Sequence, residues 1–392
     1  MKKILGFITE FNPFHNGHKY LIDMAKSKIA YPSEEIVTIA VMSGNFVQRG
    51  IPSIINKWEK TKIAIQNGID LVIELPTVYA ISSSENFAHG SIKLLNSLNV
   101  SDIFFGSESE NLDYMNEISD VLIREPAQYK KYLCDELHKG LSFPKSRENA
   151  LSKYLGKELS ILHSPNDILG IEYLKFLKAE NSSIIPHIIK RNDSFISSSQ
   201  IRTMLYQGED ISSFVPKESL EIIQNNELIT LKHFEKEIIY SLRKMDVSEI
   251  ANAPDVSEGL EYKIKKSSDK NSKIENLIED IKSKRYTTTR IQRILLYILL
   301  NIHKEDIELS KKTLPYAHIL GFNTKGEKYL SSLSECKKAF ISTNSFLKNC
   351  NDEKIKKMLN IDILASNIYN LSYTENHPSN EDYTHMPIIF RT

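Results

Sequence analysis

The stretch that decides the reading is ITEFNPFHNGHKYLI, residues 8–22. It joins an apolar run to a helix-like run through Asn12-Pro13, and sets His15 and His18 three residues apart around Gly17. Pro13 stiffens the turn. Residues three apart on a first helical turn share one face, so both imidazoles aim at one small volume. The unpaired backbone N–H groups of the helix start face the same volume and favour phosphate. Gly17 has no side chain, so a flat ring can come close to the backbone. Two histidine donors at a helix start suit a reaction in which negative charge builds on phosphorus. Adenylyl transfer is of that kind: an acceptor attacks the α-phosphate of ATP and pyrophosphate leaves. The competing reading is a zinc pair or two core histidines. HNGH lacks the intervening Glu of a zincin helix and sits at a turn, which disfavours zinc.

Outward from this turn, the first half alternates strand-like and helix-like runs. KKILGFITEF, EIVTIAVMSG, DLVIELP and SDIFFGSE read as strands; the runs starting HNGHKY, NKWEK and SSENFAHG read as helices. On the first helix, Tyr20, Leu21, Met24 and Ala25 form the expected apolar face. Repeated strand–helix–strand predicts a Rossmann-like α/β domain built on a parallel sheet. Such sheets bind ligands at the carboxyl ends of their strands. Those ends carry Asn12 to His18, Ser43-Gly44-Asn45, Glu74 and Gly106-Ser107-Glu108. The pattern stops near Leu205. The expected division is residues 1–205, binding nucleotide, and residues 206–392, mainly helical. KIKKSSDKNSK, residues 263–273, reads as a charged flexible stretch.

The chain's 392 residues allow two or three domains. Lys+Arg and Asp+Glu are equal at 50 each, so net charge alone points to no nucleic acid, and only local patches can. Cys134, Cys336 and Cys350 form no CxxC pair, which argues against a disulfide framework or zinc ribbon. MKKILGFITEF does not read as a signal peptide, and no apolar run reaches the roughly 18 residues that span a bilayer. A cytoplasmic protein, with no membrane partner, is the expectation.

PFHNGH resembles the HxGH motif of the nucleotidyltransferases related to class I aminoacyl-tRNA synthetases. SFISSSQIRTML, later in the domain, is similar to that superfamily's second phosphate-binding element. There Ser198, Ser199 and Arg202 would hold the β and γ phosphates; read alone, the segment is a Ser-capped helix start. The likeness is closer still to one family. EFNPFHNGHKY, VMSGNFVQRG, NGIDLVIELP, FGSE, SPNDILGIEYLK, KSKRYTTTRIQRILL and LPYAHILGFN together look like the bacterial tRNA(Met) cytidine acetate ligases, over nearly the whole chain from Gly6 to about Gly326. The resemblance implies activation of acetate with ATP to acetyl-adenylate. The acetyl group would then pass to the N4 amine of the wobble cytidine of elongator methionine tRNA. It implies an ATP pocket walled by Phe7, Ile8, Thr9, Glu10, Phe11, Asn12, Pro13, Phe14, His15, Asn16, Gly17, His18, Lys19 and Tyr20. Gly106, Asn166 and Arg191 match the family's other pocket positions. His15 and His18 would be catalytic. This chain is shorter than the family pattern between Arg191 and the serines.

From the residues alone, Gly106 can be a plain turn, Asn166 a helix N-cap and Arg191 a solvated charge. Mg²⁺ is expected with ATP, to neutralise the polyphosphate, without a dedicated metal cage. For the tRNA, residues 282–293 carry Lys282, Lys284, Arg285, Arg290 and Arg293 with no acid. Tyr286 among them is a candidate to stack on a base, and three threonines are donors to phosphate. Arg49, Lys57, Trp58 and Lys60 add a second candidate patch. Two rival functions remain open: a small-molecule adenylyltransferase making a dinucleotide cofactor, and a non-catalytic RNA-binding nucleotide sensor.

Overall fold

The computed structural model describes residues 2–29, 35–192, 194–333 and 339–391. Ten strands are present among them. Lys2–Thr9 (β1), Glu35–Ser43 (β2), Leu71–Leu75 (β5), Asp102–Ser107 (β6) and Ile185–Lys190 (β7) form the parallel part of the main sheet; Phe46–Val47 (β3) and Ile51–Pro52 (β4) form a small hairpin apart from it. Ala317–Asn323 (β8), Ala339–Phe340 (β9) and Ile388–Phe390 (β10) complete the main sheet, whose order is β10-β8-β5-β2-β1-β6-β7, with β9 pairing β8. The expected parallel sheet is there, with one departure. β8 runs antiparallel to β5, with Leu71 opposite Phe322 and Glu74 opposite His318. Residues 206–392 are mainly helical and also return these three strands to the sheet, which their helical periodicity did not reveal.

β1 is buried on both sides, as a central parallel strand must be. Leu5 and Phe7 face the core under helices Asn16–Ile29 and Lys57–Gln66; Ile4 and Ile8 face the core under Ser84–Ser97 and Pro165–Ala179. The chain steps outward from β1 through β2 to β5, then crosses to β6 and β7 on the other side of β1. That reversal opens a crevice above the carboxyl ends of β1 and β6. Along Asn16–Ile29 the buried residues are Ile22 and Ala25, while Met24 is exposed, so the expected apolar face is turned by part of a helical turn. Residues 263–270 of the stretch read as flexible are instead the end of helix Leu260–Lys270. Its Ile264, Ser267 and Ser268 are buried, which spacing of single residues within a charged run conceals. The helical half docks firmly: Tyr297 donates its hydroxyl to the Ile81 carbonyl at 3.0 Å, and Tyr79 donates to the Ser310 carbonyl at 2.6 Å. Cys134 and Cys350 are free thiols; Cys336 lies outside the described residues.

Candidate active site

The crevice is a cleft of about 930 Å³. Its floor is the turn after β1. Phe11 sits at φ 48°, left-handed backbone that costs an aromatic residue about 1–3 kcal/mol. The Asn12–Pro13 peptide is cis. Asn12 braces the turn, accepting from Ile54 N–H at 2.8 Å. The two imidazoles then lie 3.9 Å apart, centroid to centroid. His15 Nδ1 accepts from Gly17 N–H at 2.9 Å, and His18 Nδ1 accepts from His15 N–H at 3.2 Å. With each Nδ1 accepting, the neutral tautomer carries its proton on Nε2, so both rings are Nε2–H donors. Burial, then the Arg191 charge, pushes His15 down to about 4. Burial, His15 and Arg191 push His18 well below the usual histidine range. Gly17 serves this fold-back: a Cβ there would lie 2.7 Å from His15 Cε1.

Of the expected walls, Ile8, Thr9, Glu10, Phe11, His15, Gly17, His18 and Tyr20 line the cleft. Phe7, Asn12, Pro13 and Phe14 are buried behind it. Asn16 turns away, its side chain donating to the Ser213 carbonyl at 3.1 Å, and Lys19 pairs with Asp23 at 2.9 Å on the exposed side of its helix. Neither reaches the cleft surface. Across from the turn stands helix Ser198–Gln207. Its N-cap is Ser197, closed by Gln200 in a capping box, and not Ser198 or Ser199. Ser198 and Ser199 line the cleft at the helix start, and Ser198 Oγ donates to the Pro13 carbonyl at 3.4 Å. Arg202, nearly buried, donates to the Asn12 carbonyl at 2.6 Å. The helix start, its arginine and the histidine turn thus meet at one point.

Gly106, Asn166 and Arg191 line the far wall. A Cβ at Gly106 would meet nothing within 4 Å, so the strand end is open above it. Asn166 is not the N-cap of its helix; Ser164 holds that position. The Asn166 amide instead donates to Glu108 Oε1 at 2.8 Å.

The basic run forms the cleft's other edge. Arg285, Arg290 and Arg293 line it, with Thr287 and Thr289. Gly50, at φ +76°, lets the β3–β4 hairpin pack on helix Thr288–Leu299: a Cβ there would lie 2.5 Å from Arg293 N. The arginines are held by the loop before them. Arg285 pairs with Glu258 at 2.6 Å, Arg293 with Asp255 at 3.2 Å, and Arg290 donates to the Asp255 carbonyl at 2.7 Å. Those acids stand so far back in sequence that the run by itself reads as unpaired. Lys282 and Lys284 are exposed but off the cleft. The stacking role read for Tyr286 is corrected: the ring is buried, its hydroxyl donates to the Ser257 carbonyl, and Arg290 sits over its face at 4.9 Å. The second patch is corrected as well. Lys57, Trp58 and Lys60 are buried in the fold, and of the four Arg49 alone lines the cleft. Phe143, which the sequence reading did not single out, lines the cleft and is 51% exposed.

A parallel sheet with a switch point, two donor histidines at the first strand end, and a second helix start with an arginine define a nucleotidyltransferase. The HIGH Nucleotidyl Transferase family matches residues 1–384. Among curated relatives, the tRNA(Met) cytidine acetate ligase of Thermoanaerobacter pseudethanolicus is 42% identical over 411 residues, covering 98% of this chain and 99% of that protein. That of Acetivibrio thermocellus is 42% identical over 402 residues, covering 95% of each. Among solved structures, Thermotoga maritima TmcAL bound with alpha-thio ATP superposes with a TM-score of 0.94 at 32% identity, covering 100% of both chains. The chain belongs to the tRNA(Met) cytidine acetate ligase family.

Proposed function

We propose that the chain is an ATP-dependent ligase that acetylates the wobble cytidine of elongator tRNA(Met), through acetyl-adenylate, within this one cleft. In the first step an acetate oxygen attacks the α-phosphorus of ATP and the bond to the β-phosphate oxygen breaks, releasing pyrophosphate. The Nε2–H groups of His15 and His18 donate to phosphoryl oxygens as charge builds there; neutral rings do this without the cost of burying cations. Arg191, Arg202 and the helix start at Ser198 hold phosphate. Mg²⁺ would arrive on the polyphosphate, ligated mostly by phosphate and water; Glu10, with one carboxylate oxygen given to Gln48 N–H at 2.8 Å, is the carboxylate of the turn that would meet it. In the second step the cytidine N4 attacks the acetyl carbon, AMP leaves with the carboxylate oxygen, and N4 gives up a proton.

One observation carries this reading: the histidine turn and the arginine edge of the helical half line the same cleft. A small acceptor needs no such edge. We therefore assign residues 1–205 to the nucleotide and residues 206–392, through Arg285, Arg290 and Arg293, to the RNA. An unpaired anticodon base enters without opening a duplex. No helix among the described residues is long and apolar enough to cross a membrane, and the reading places the enzyme in the cytoplasm with its tRNA. The test is ATP–pyrophosphate exchange. It is expected to depend on acetate. Dependence on a phosphate monoester instead would identify a small-molecule adenylyltransferase, and no exchange at all a nucleotide sensor.

A further inference from the structure

Glu108 does not line the cleft, yet it touches two residues that do. Its Oε1 accepts from Asn166 Nδ2 at 2.8 Å and lies 3.4 Å from Arg191 Nη1. These groups come from three elements: the end of β6, the start of helix Pro165–Ala179 and the end of β7. Glu108 is itself fixed from behind. Its backbone N–H donates to Asp167 Oδ1 at 3.2 Å, which also accepts from Ser107 Oγ at 2.5 Å, and Arg191 N–H donates to the Ser107 carbonyl at 2.9 Å. Glu108 Oε2 is buried with no hydrogen-bond partner among the described residues. A carboxylate next to a site for a polyanion needs a reason, since it weakens the field that draws phosphate.

An ionised carboxylate only accepts hydrogen bonds. The amide of Asn166 must therefore turn its NH₂ toward Glu108, which leaves its carbonyl oxygen Oδ1 for the cleft. An asparagine alone can present either end; this one presents an acceptor. The triphosphate of ATP has no donor to give it. The donors of the nucleotide are the ribose hydroxyls and the adenine amine. The other partner of Glu108 Oε1 is Arg191, the phosphate-facing cation, and the ribose is the part of the nucleotide next to the phosphates.

We infer that Glu108 is a positioning residue that fixes the Asn166 amide with Oδ1 toward the cleft, where it accepts from a ribose hydroxyl of ATP. This rests on the reading of Asn166 as a nucleotide contact. Its consequence is selection for ribonucleotides by polarity: an acceptor held in place is left unpaired by a deoxy analogue.

The test is acetate-dependent ATP–pyrophosphate exchange with ATP, 2′-deoxy-ATP, 3′-deoxy-ATP and inosine triphosphate, comparing kcat/KM ratios. The wild type is expected to favour ATP over one deoxy analogue by about tenfold, the effect of one well-made hydrogen bond. Asn166→Ala should abolish that preference. Glu108→Gln should lose most of it, because an amide facing an amide no longer dictates which end Asn166 turns. The exchange of roles, Glu108→Gln together with Asn166→Asp, should restore it: the new amide at position 108 then donates to the new carboxylate at position 166, whose other oxygen accepts. Melting curves show that each variant is folded. Glu108→Gln retaining the full preference, or losing rate equally on all nucleotides, overturns the positioning role. A preference in the wild type that follows the adenine amine alone overturns the ribose assignment. An unchanged preference in Asn166→Ala overturns the nucleotide contact itself, and so separates that failure from one at Glu108.

Discussion

Two polar regions of this molecule are buried side by side and differ in one respect. Behind β5, Lys57 lies 2.9 Å from Glu74 and 2.6 Å from Asp382, and His318 lies 2.7 Å from Glu74. Lys57, Glu74 and Asp382 are each paired with an opposite charge, drawn from both halves of the chain. Burial opposes the Lys57 charge, but Asp382 and Glu74 together hold it above the usual lysine value. Against burial, Lys57 and His318 hold Glu74 down to about 2. One helical turn on, Lys60 has carbonyls for partners, Glu10 at 3.1 Å, Ser43 at 2.8 Å and Gly44 at 2.7 Å, and burial pushes it down to about 7. The cleft beyond it is more open still. The two histidine rings, Arg202 and the helix start line it, Arg202 already donating to the Asn12 carbonyl, and the Glu108 carboxylate stands against Arg191. A closed set of charges joins the parts of a fold; a set of donors lining an open cleft awaits a ligand.

The contrast is broken most severely at His18. His18→Ala should cut formation of acetylated cytidine by about 10²–10³-fold, the effect of removing one transition-state donor, with the melting temperature nearly unchanged. A matching loss of melting temperature would move His18 to the structural class. Lys57→Met is the converse. It leaves Glu74 and Asp382 buried without their cation and should cost about 3–5 kcal/mol in chemical denaturation, while the folded fraction still binds ATP. Gly17→Ala comes next: the added carbon meets the His15 ring at 2.7 Å, so exchange activity should fall about tenfold or more with the fold intact.

How much of this was legible beforehand follows the same division. The histidine turn, the parallel sheet and the polar strand ends that carry the site were readable because their signals are local: strand periodicity, a proline, a glycine between two histidines. What was missed depends on partners far apart in sequence. Lys57, Trp58 and Lys60 look like a basic surface until Asp382 and His318 arrive from the end of the chain. Tyr286 looks available until Ser257 and Arg290 are seen to hold it. β8 is Ala-His-Ile-Leu-Gly-Phe-Asn, which pairing with β5 and β10 makes a strand. Glu108 gives no sign of its role until Asn166 and Arg191 stand beside it.

pH sharpens the comparison further. His15 titrates near 6.5 unfolded and about 4 folded, so between those values the unfolded chain binds the extra proton. Stability from this group is therefore present above pH 6.5 and lost as pH falls toward 4. Wild type should lose more stability across that window than His15→Gln, measured by denaturant titration at each pH; equal losses would contradict a buried neutral His15. The smallest effect belongs to the paired arginines of the rim. Arg293→Gln should raise the KM for tRNA a few-fold and lower its salt slope by about one, leaving tRNA-independent exchange as it was.

The central claim is that one cleft activates acetate and delivers it to RNA. The direct measurement is mass analysis of nucleosides from methionine tRNA incubated with the protein, ATP and acetate. The account predicts N4-acetylcytidine with the wild type and about 10²–10³-fold less with His18→Ala. Acetate-dependent exchange without any acetylated nucleoside would contradict it, leaving the activation chemistry in place and the acceptor misassigned.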